Sequence, residues 1–131
     1  MVKYLRGAAV LLFFLFLFFI PGIISQKDEA VRTVEQYLQG LVDHNSNQVS
    51  NLSCSAWESE ALMEVDSFQL VKVSLQDVTC SVIEEDAEGI TVHCSGAIVT
   101  SYNNELTHID LDQRNFFVKQ ENGDLFVCGY R

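Results

Sequence analysis

The sequence predicts an α+β domain, with helices first and a curved four-stranded antiparallel meander after them, all behind an apolar leader helix. Three observations carry that expectation. Apolar residues recur at spacings of three and four up to about Val65, then at a spacing of two from Phe68 onward. The pairs Asn103-Asn104 and Asn122-Gly123 divide the second half into strands joined by tight turns. The alternation slips by one residue near Gln76-Asp77, the mark of a β-bulge, which bends a strand and curves its sheet. Helices gathered on one face of such a sheet define the α+β class.

The leader comes first. Residues 1–6 carry Lys3 and Arg6 and no acid, residues 8–20 are all apolar, and Pro21-Gly22 breaks any helix. That is the layout of a secretory signal peptide, with a cut after Ser25. The same stretch reads equally as an N-terminal membrane anchor, since residues 8–24 approach the roughly 17–25 apolar residues that cross a bilayer. Its basic flank would hold the N-terminus in the cytoplasm. On either reading residues 1–25 export residues 26–131 as one extracytoplasmic domain, secreted or membrane-anchored. A lipoprotein would need a cysteine just after the apolar run, and none is there.

All 18 acidic residues lie in residues 26–131 beside six of the eight basic ones, a net charge of −12. Such a surface repels phosphate backbones and anionic headgroups, which argues against nucleic acid and against peripheral membrane binding. The segment is long enough for one domain and not two.

Residues 25–44 open the domain as a helix, capped by Ser25 and begun with Asp28 and Glu29, which suit the positive end of its dipole. Val31, Val34, Leu38, Leu41 and Val42 form its apolar stripe, with Tyr37 as a half-buried border. Residues 44–47 turn the chain into a short helix over 48–53 bearing Val49 and Leu52. Ser55 and Glu58 form a capping box for a third helix to about Val65, with Trp57, Ala61 and Val65 on one side. In the sheet, Val71, Val73 and Leu75 face inward before the slip, and Val78, Cys80 and Val82 after it. Residues 84–89 turn into a strand over 90–102. Residues 105–120 return as one long strand, and residues 124–131 close the sheet. Asn51-Leu52-Ser53 is an N-glycosylation sequon wherever the host glycosylates.

Four cysteines in an exported chain predict two disulfides. No C-x-x-C spacing suggests zinc or a thioredoxin-type site, and adjacent His93 and Cys94 point to opposite faces of a strand, so no metal is expected. Pairing across a turn centred near Ala87 sets Cys80 opposite Cys94. That leaves Cys54 with Cys128, tying the helical layer to the final strand. Cys54–Cys80 with Cys94–Cys128 is the alternative, should the strand order differ by one place.

Three stretches carry a resemblance: the opening helix EAVRTVEQYLQGLVDHNSNQVSNL, the hairpin SVIEEDAEGITVHCSGAIV and the ending RNFFVKQENGDLFVCGYR. The chain resembles the nuclear transport factor 2-like (NTF2-like) superfamily, the cone-shaped cystatin-like α+β fold, in its secreted or membrane-anchored bacterial members of unknown function. The likeness covers about residues 27–131. It implies a cone that in enzyme members, isomerases, dehydratases and polyketide cyclases, holds an acid–base pair. Carried onto this chain it points to Asp77, His93, His108 and Asp110, with Tyr37 and Tyr102, as groups able to enter such a pocket. Asp77 stands out because a bulge re-aims its residues. Secreted cystatins are a second comparison, but their Q-x-V-x-G loop and Pro-Trp hairpin are missing.

No catalytic motif is present, and the expectation is a non-enzymatic exported domain, a protein-interaction or structural module without cofactor. The alternative is a small-molecule binder using the cone, or an isomerase- or cyclase-type enzyme. Tyr37, Trp57, Asp77 and Tyr102 are the candidate ligand-binding residues; Phe116, Phe117, Phe126 and Tyr130 could line or shut the pocket. Aromatics on both faces of the last hairpin also suggest a homodimer.

Overall fold

The computed structural model describes residues 25–131, and the leader expected over residues 1–24 lies outside them. Helix α1, Gln26–Val42, is followed by α2, Ser46–Asn51, and α3, Glu58–Ser67. Strands β1, Lys72–Glu85, and β2, Ile90–Tyr102, form a long curved hairpin. β3, Glu105–Asp110, a 3-10 turn at Leu111–Gln113, β4, Asn115–Glu121, and β5, Asp124–Tyr130, complete the chain. No helix among the described residues is long and apolar enough to cross a membrane.

The sheet is antiparallel and has five strands, not four. Its order is β1-β2-β4-β5, and β3 pairs with the far half of β2. The single strand expected over residues 105–120 divides because Asp110 takes up a backbone N–H that a strand would leave pointing sideways. Its Oδ1 accepts from Asp112 N at 2.9 Å, the chain turns, and Leu111 drops into the core, fully buried. β2 therefore pairs β3 from Ala97 to Tyr102 and β4 from Ile90 to His93, and the sheet bends between them.

β1 carries the expected bulge. Asp77 adopts φ +53°, and the register shifts between Gln76 and Thr79, so two β1 residues oppose Gly96. Gly96 stands at φ +94°, and a Cβ there would meet the carbonyl oxygens of Gln76 and Asp77 at 2.5 Å. Only glycine fits. Both two-residue turns have left-handed central residues, Asn103 and Asn104, then Asn122 and Gly123, as type I′ hairpins require.

The helices pack on the concave side. Ser25 caps α1 by accepting from Lys27 N, and Val34, Tyr37, Leu38 and Leu41 are fully buried against Val92, Ile98, Phe116 and Val118. Each such side chain contributes roughly 1.5–3 kcal/mol by leaving water. Tyr37 is inside the core rather than at its border.

Two local expectations fail. α2 starts at Ser46, because Asn45 accepts from Gln48 N and caps it. The capping box at Ser55 does not form: α3 begins at Glu58 behind Trp57, without a side-chain cap. The backbone N–H groups of Trp57 and Glu58 instead donate to the Cys54 carbonyl, and the Glu58 carboxylate accepts from the Ser50 hydroxyl at 2.7 Å. A local box loses here to contacts that hold Cys54 in place.

Those contacts close one edge of the sheet. Residues 52–54 lie along β5 as a short parallel strap: Val127 N donates to the Leu52 carbonyl and Cys54 N to the Val127 carbonyl. Disulfides join Cys54 to Cys128 and Cys80 to Cys94, with Cα–Cα separations of 5.3 and 4.1 Å. Cys80 and Cys94 are direct register partners. Two disulfides in so small a domain point to an oxidising, extracytoplasmic environment.

Candidate functional site

The concave side holds one polar cluster, built where α1, α3, β4 and β5 meet. α1 delivers Tyr37 from its buried stripe. Trp57, just ahead of α3, donates its indole N–H to the Tyr37 hydroxyl at 3.0 Å. α3 also brings Glu64, one position off its buried face. Arg114, ahead of β4, donates from Nη1 to Glu64 Oε1 at 2.6 Å, with both side chains more than four-fifths buried. The Arg114 guanidinium lies 4.2 Å from the centre of the Tyr130 ring. Tyr130 stands edge-on to both Trp57 and Phe116, and Phe116 edge-on to Tyr37. Gly129, at φ +120°, lets the Trp57 ring approach β5, since a Cβ there would lie 3.3 Å from it.

Electrostatics follow from that packing. Burial pushes the Tyr37 phenol far above its ordinary value, and the indole N–H opposes the shift only in part. Burial also raises Tyr130, helped by the negative charge of Glu64 and opposed by Arg114. Both phenols are neutral over the physiological range. Glu64 and Arg114 hold each other as an ion pair away from water, where removing one partner is costly.

Of the four candidate residues, Tyr37 and Trp57 come together and the other two do not. Asp77 is exposed at the bulge, where its backbone rather than its carboxylate does the shaping. Tyr102 is 61% exposed at the far end of the β2–β3 hairpin. His108 is exposed on β3, and Asp110 is the cap described above. His93 points to the convex side, with Nδ1 2.9 Å from Asn115 Oδ1 and Nε2 3.5 Å from Asp112. Sequence reasoning missed Glu64 and Arg114. They are 50 residues apart, in no motif, and only the fold joins them. Phe116 and Tyr130, named as pocket aromatics, are packed against this cluster, whereas Phe117 lies on the other face with Lys119 and Arg131 over its ring.

Open grooves flank the helical layer. One of about 450 Å³ runs between α1 and β1, edged by Lys27, Arg32, Glu35 and Cys80. Another of about 470 Å³ lies between α1 and the start of β5, edged by Glu29, Gln36, Asn51 and Phe126. Both are mixed in charge and open to water.

The fold and site define an α+β domain with helices on the concave side of a curved, unclosed antiparallel sheet. No protein-family model matches the chain, and no curated protein does. Among solved structures, the helical cell shape determining protein Pgp2 from Campylobacter jejuni is similar in fold, with a TM-score of 0.51 over 76% of this chain at 10% identity. The match spans 38% of that protein. At this identity the likeness concerns the fold alone.

Proposed function

We propose that the chain is an exported NTF2-like domain of the cystatin-like cone type, acting as a protein-interaction or structural module and not as an enzyme. One observation supports this above others. The place where a cone enzyme needs an unpaired acid or base facing a cavity is filled by the buried Tyr37 and Phe116 with the half-buried Tyr130 against them, and the carboxylate there, Glu64, is tied to Arg114. General acid–base work needs a group free to reach the proton it moves. Export is supported by the basic and apolar leader, with residues 8–24 either cleaved away or kept as the anchor, and by the two disulfides.

The test is a native mass spectrum of the protein expressed with its own leader and without reductant. A four-dalton deficit for the two disulfides, without extra mass that leaves on denaturation, is the expected result. A small molecule carried through purification, and lost when the chain unfolds, would overturn the module reading in favour of a ligand-binding cone. Free thiols in the isolated protein would overturn export.

A further inference from the structure

We infer, on the reading of the chain as a protein-interaction module, that the outer edge of β3 is the docking surface. Its occupant is an extended segment of a partner protein, basic at both ends, which joins the sheet as an added antiparallel strand.

The observation is a difference between the edges of the sheet. β5 is closed by the strap over residues 52–54, and the edge of β1 is broken by two register shifts. β3 has neither device. It pairs with β2 alone, in an even ladder from Glu105 to Asp110 that contains no register shift, proline or lysine. Glu105, Leu106, Thr107 and His108 are all exposed, so neither face of this stretch is covered.

Backbone geometry says which groups that edge offers. The two-residue turn at Asn103-Asn104 makes Tyr102 and Glu105 its closing hydrogen-bonded pair. Direction then alternates along the strand. Glu105, Thr107 and Ile109 turn their N–H and C=O groups to β2, whereas Leu106, His108 and Asp110 turn theirs outward. Among the described residues no backbone partner meets these outward groups. A straight strand with such a row of donors and acceptors is a template for strand addition, in which main-chain bonds supply affinity and alternate side chains supply specificity.

The side chains select the occupant. Glu105 and Asp110 stand at the two ends of β3, and neither is in an ion pair among the described residues. Leu106 is 64% exposed, and Ile109 lies half-buried on the opposite face. An antiparallel segment of matching length meets Asp110 with its first residue, Ile109 with its second, Leu106 with its fifth and Glu105 with its last. Basic residues suit the two ends and apolar ones the second and fifth places, because opposite-charge and apolar cross-strand pairs stabilise a ladder. The same carboxylates turn away an acidic strand. A second copy is therefore a poor occupant: β3 has no lysine or arginine to offer, and residues 26–131 carry a net charge of −12.

The test titrates the oxidised protein, expressed with its own leader and kept in mild detergent if it stays in the membrane, with the end-capped peptide Lys-Val-Thr-Thr-Ile-Lys. Binding is expected to saturate below about 1 mM and to slow hydrogen exchange at the amides of Leu106, His108 and Asp110. The same peptide with glutamate at both ends should bind about tenfold more weakly. His108→Pro removes the middle outward N–H and leaves the ladder to β2 whole, so it should abolish binding with unchanged far-ultraviolet circular dichroism. Glu105→Lys is a second, surface variant; it should weaken the lysine-ended peptide and strengthen one whose last residue is glutamate. No saturation by about 1 mM, or slowed exchange only at other amides, overturns the proposal. Equal binding of the glutamate-ended peptide overturns the basic partner. Protection of the three amides without peptide, rising with protein concentration, overturns it in favour of a second copy. The native mass spectrum judges the module reading separately: a small molecule in the cone would sink that reading and leave binding at β3 standing, and a failed titration would do the reverse.

Discussion

Tyr37 ties three parts of the molecule together: its ring packs on Phe116 of β4, its hydroxyl takes the Trp57 N–H, and its backbone belongs to α1. Replacing it with phenylalanine leaves the ring and strands the indole donor. We expect Tyr37→Phe to cost about 1–3 kcal/mol at neutral pH, the penalty of an unmet buried donor, read by chemical denaturation. The same residue sets an alkaline limit. A phenol whose folded value is raised contributes stability that is whole below the unfolded value of about 10 and is lost as pH climbs beyond it. Tyr37 and Tyr130 are both raised, so the unfolding free energy should hold steady up to about pH 10 and then fall. The steepest slope approaches about 1.4 kcal/mol per pH unit for Tyr37 and is smaller for the half-exposed Tyr130, so in Tyr37→Phe the fall should be shallower. Gly96 is the second sensitive position. Gly96→Ala must fit a Cβ at 2.5 Å from two carbonyl oxygens at φ +94°, and a loss of about 2 kcal/mol or more is expected, seen as a lowered Tm.

Among the elements, the strap over residues 52–54 separates the two edges of the sheet. β1 leaves its outer edge unpaired but interrupts it with register shifts at Gln76/Thr79 and Val82/Glu84 and ends it in Glu84 and Glu85, devices that discourage strand addition. β5 has no such protection of its own and relies on the strap and on Cys54–Cys128. Replacing both cysteines with alanine should cost up to about 4 kcal/mol, the chain-entropy value for a long loop, and should specifically expose the backbone amides at positions 54 and 127 to hydrogen exchange. If those amides stay protected while the rest of the domain loosens, the strap holds without its disulfide. Much of this level was legible in the sequence. The period change at Phe68, the slip at Asp77 and the Asn-Gly turn each follow from backbone geometry acting over a few residues. The division of the third strand was less visible, although its phase does slip: Ile109 and Leu111 face in at odd positions, Phe116 and Val118 at even ones. The strap and the Glu64–Arg114 pair were not legible, because each is a contact between distant segments that no local pattern encodes. The capping box at Ser55 read well and still gave way to such a contact.

For the molecule as a whole, charge is the property that the sequence supplies most directly. A net charge of −12 over residues 26–131 means that the folded domain compresses like charges which the unfolded chain can spread. Salt screens that repulsion, with a Debye length near 30 Å at 0.01 M and about 10 Å at 0.1 M. Salt should therefore stabilise the domain, raising Tm by several degrees between these conditions, since about 1 kcal/mol shifts a domain of this size by roughly 4–8 °C. The ion pairs respond differently. Lys27–Glu85 spans 3.7 Å in open solvent and weakens as salt rises, whereas Glu64–Arg114 is largely buried, with Tyr130 over the guanidinium, and does not. Glu64→Gln separates the two effects. It leaves Arg114 buried without its counter-charge and should lower Tm at every salt concentration by a similar amount, on top of an unchanged salt-dependent rise. A Tm that falls with added salt in the wild type would mean that attractive surface pairs outweigh the net charge. The acidic surface would then help to hold the fold together instead of straining it.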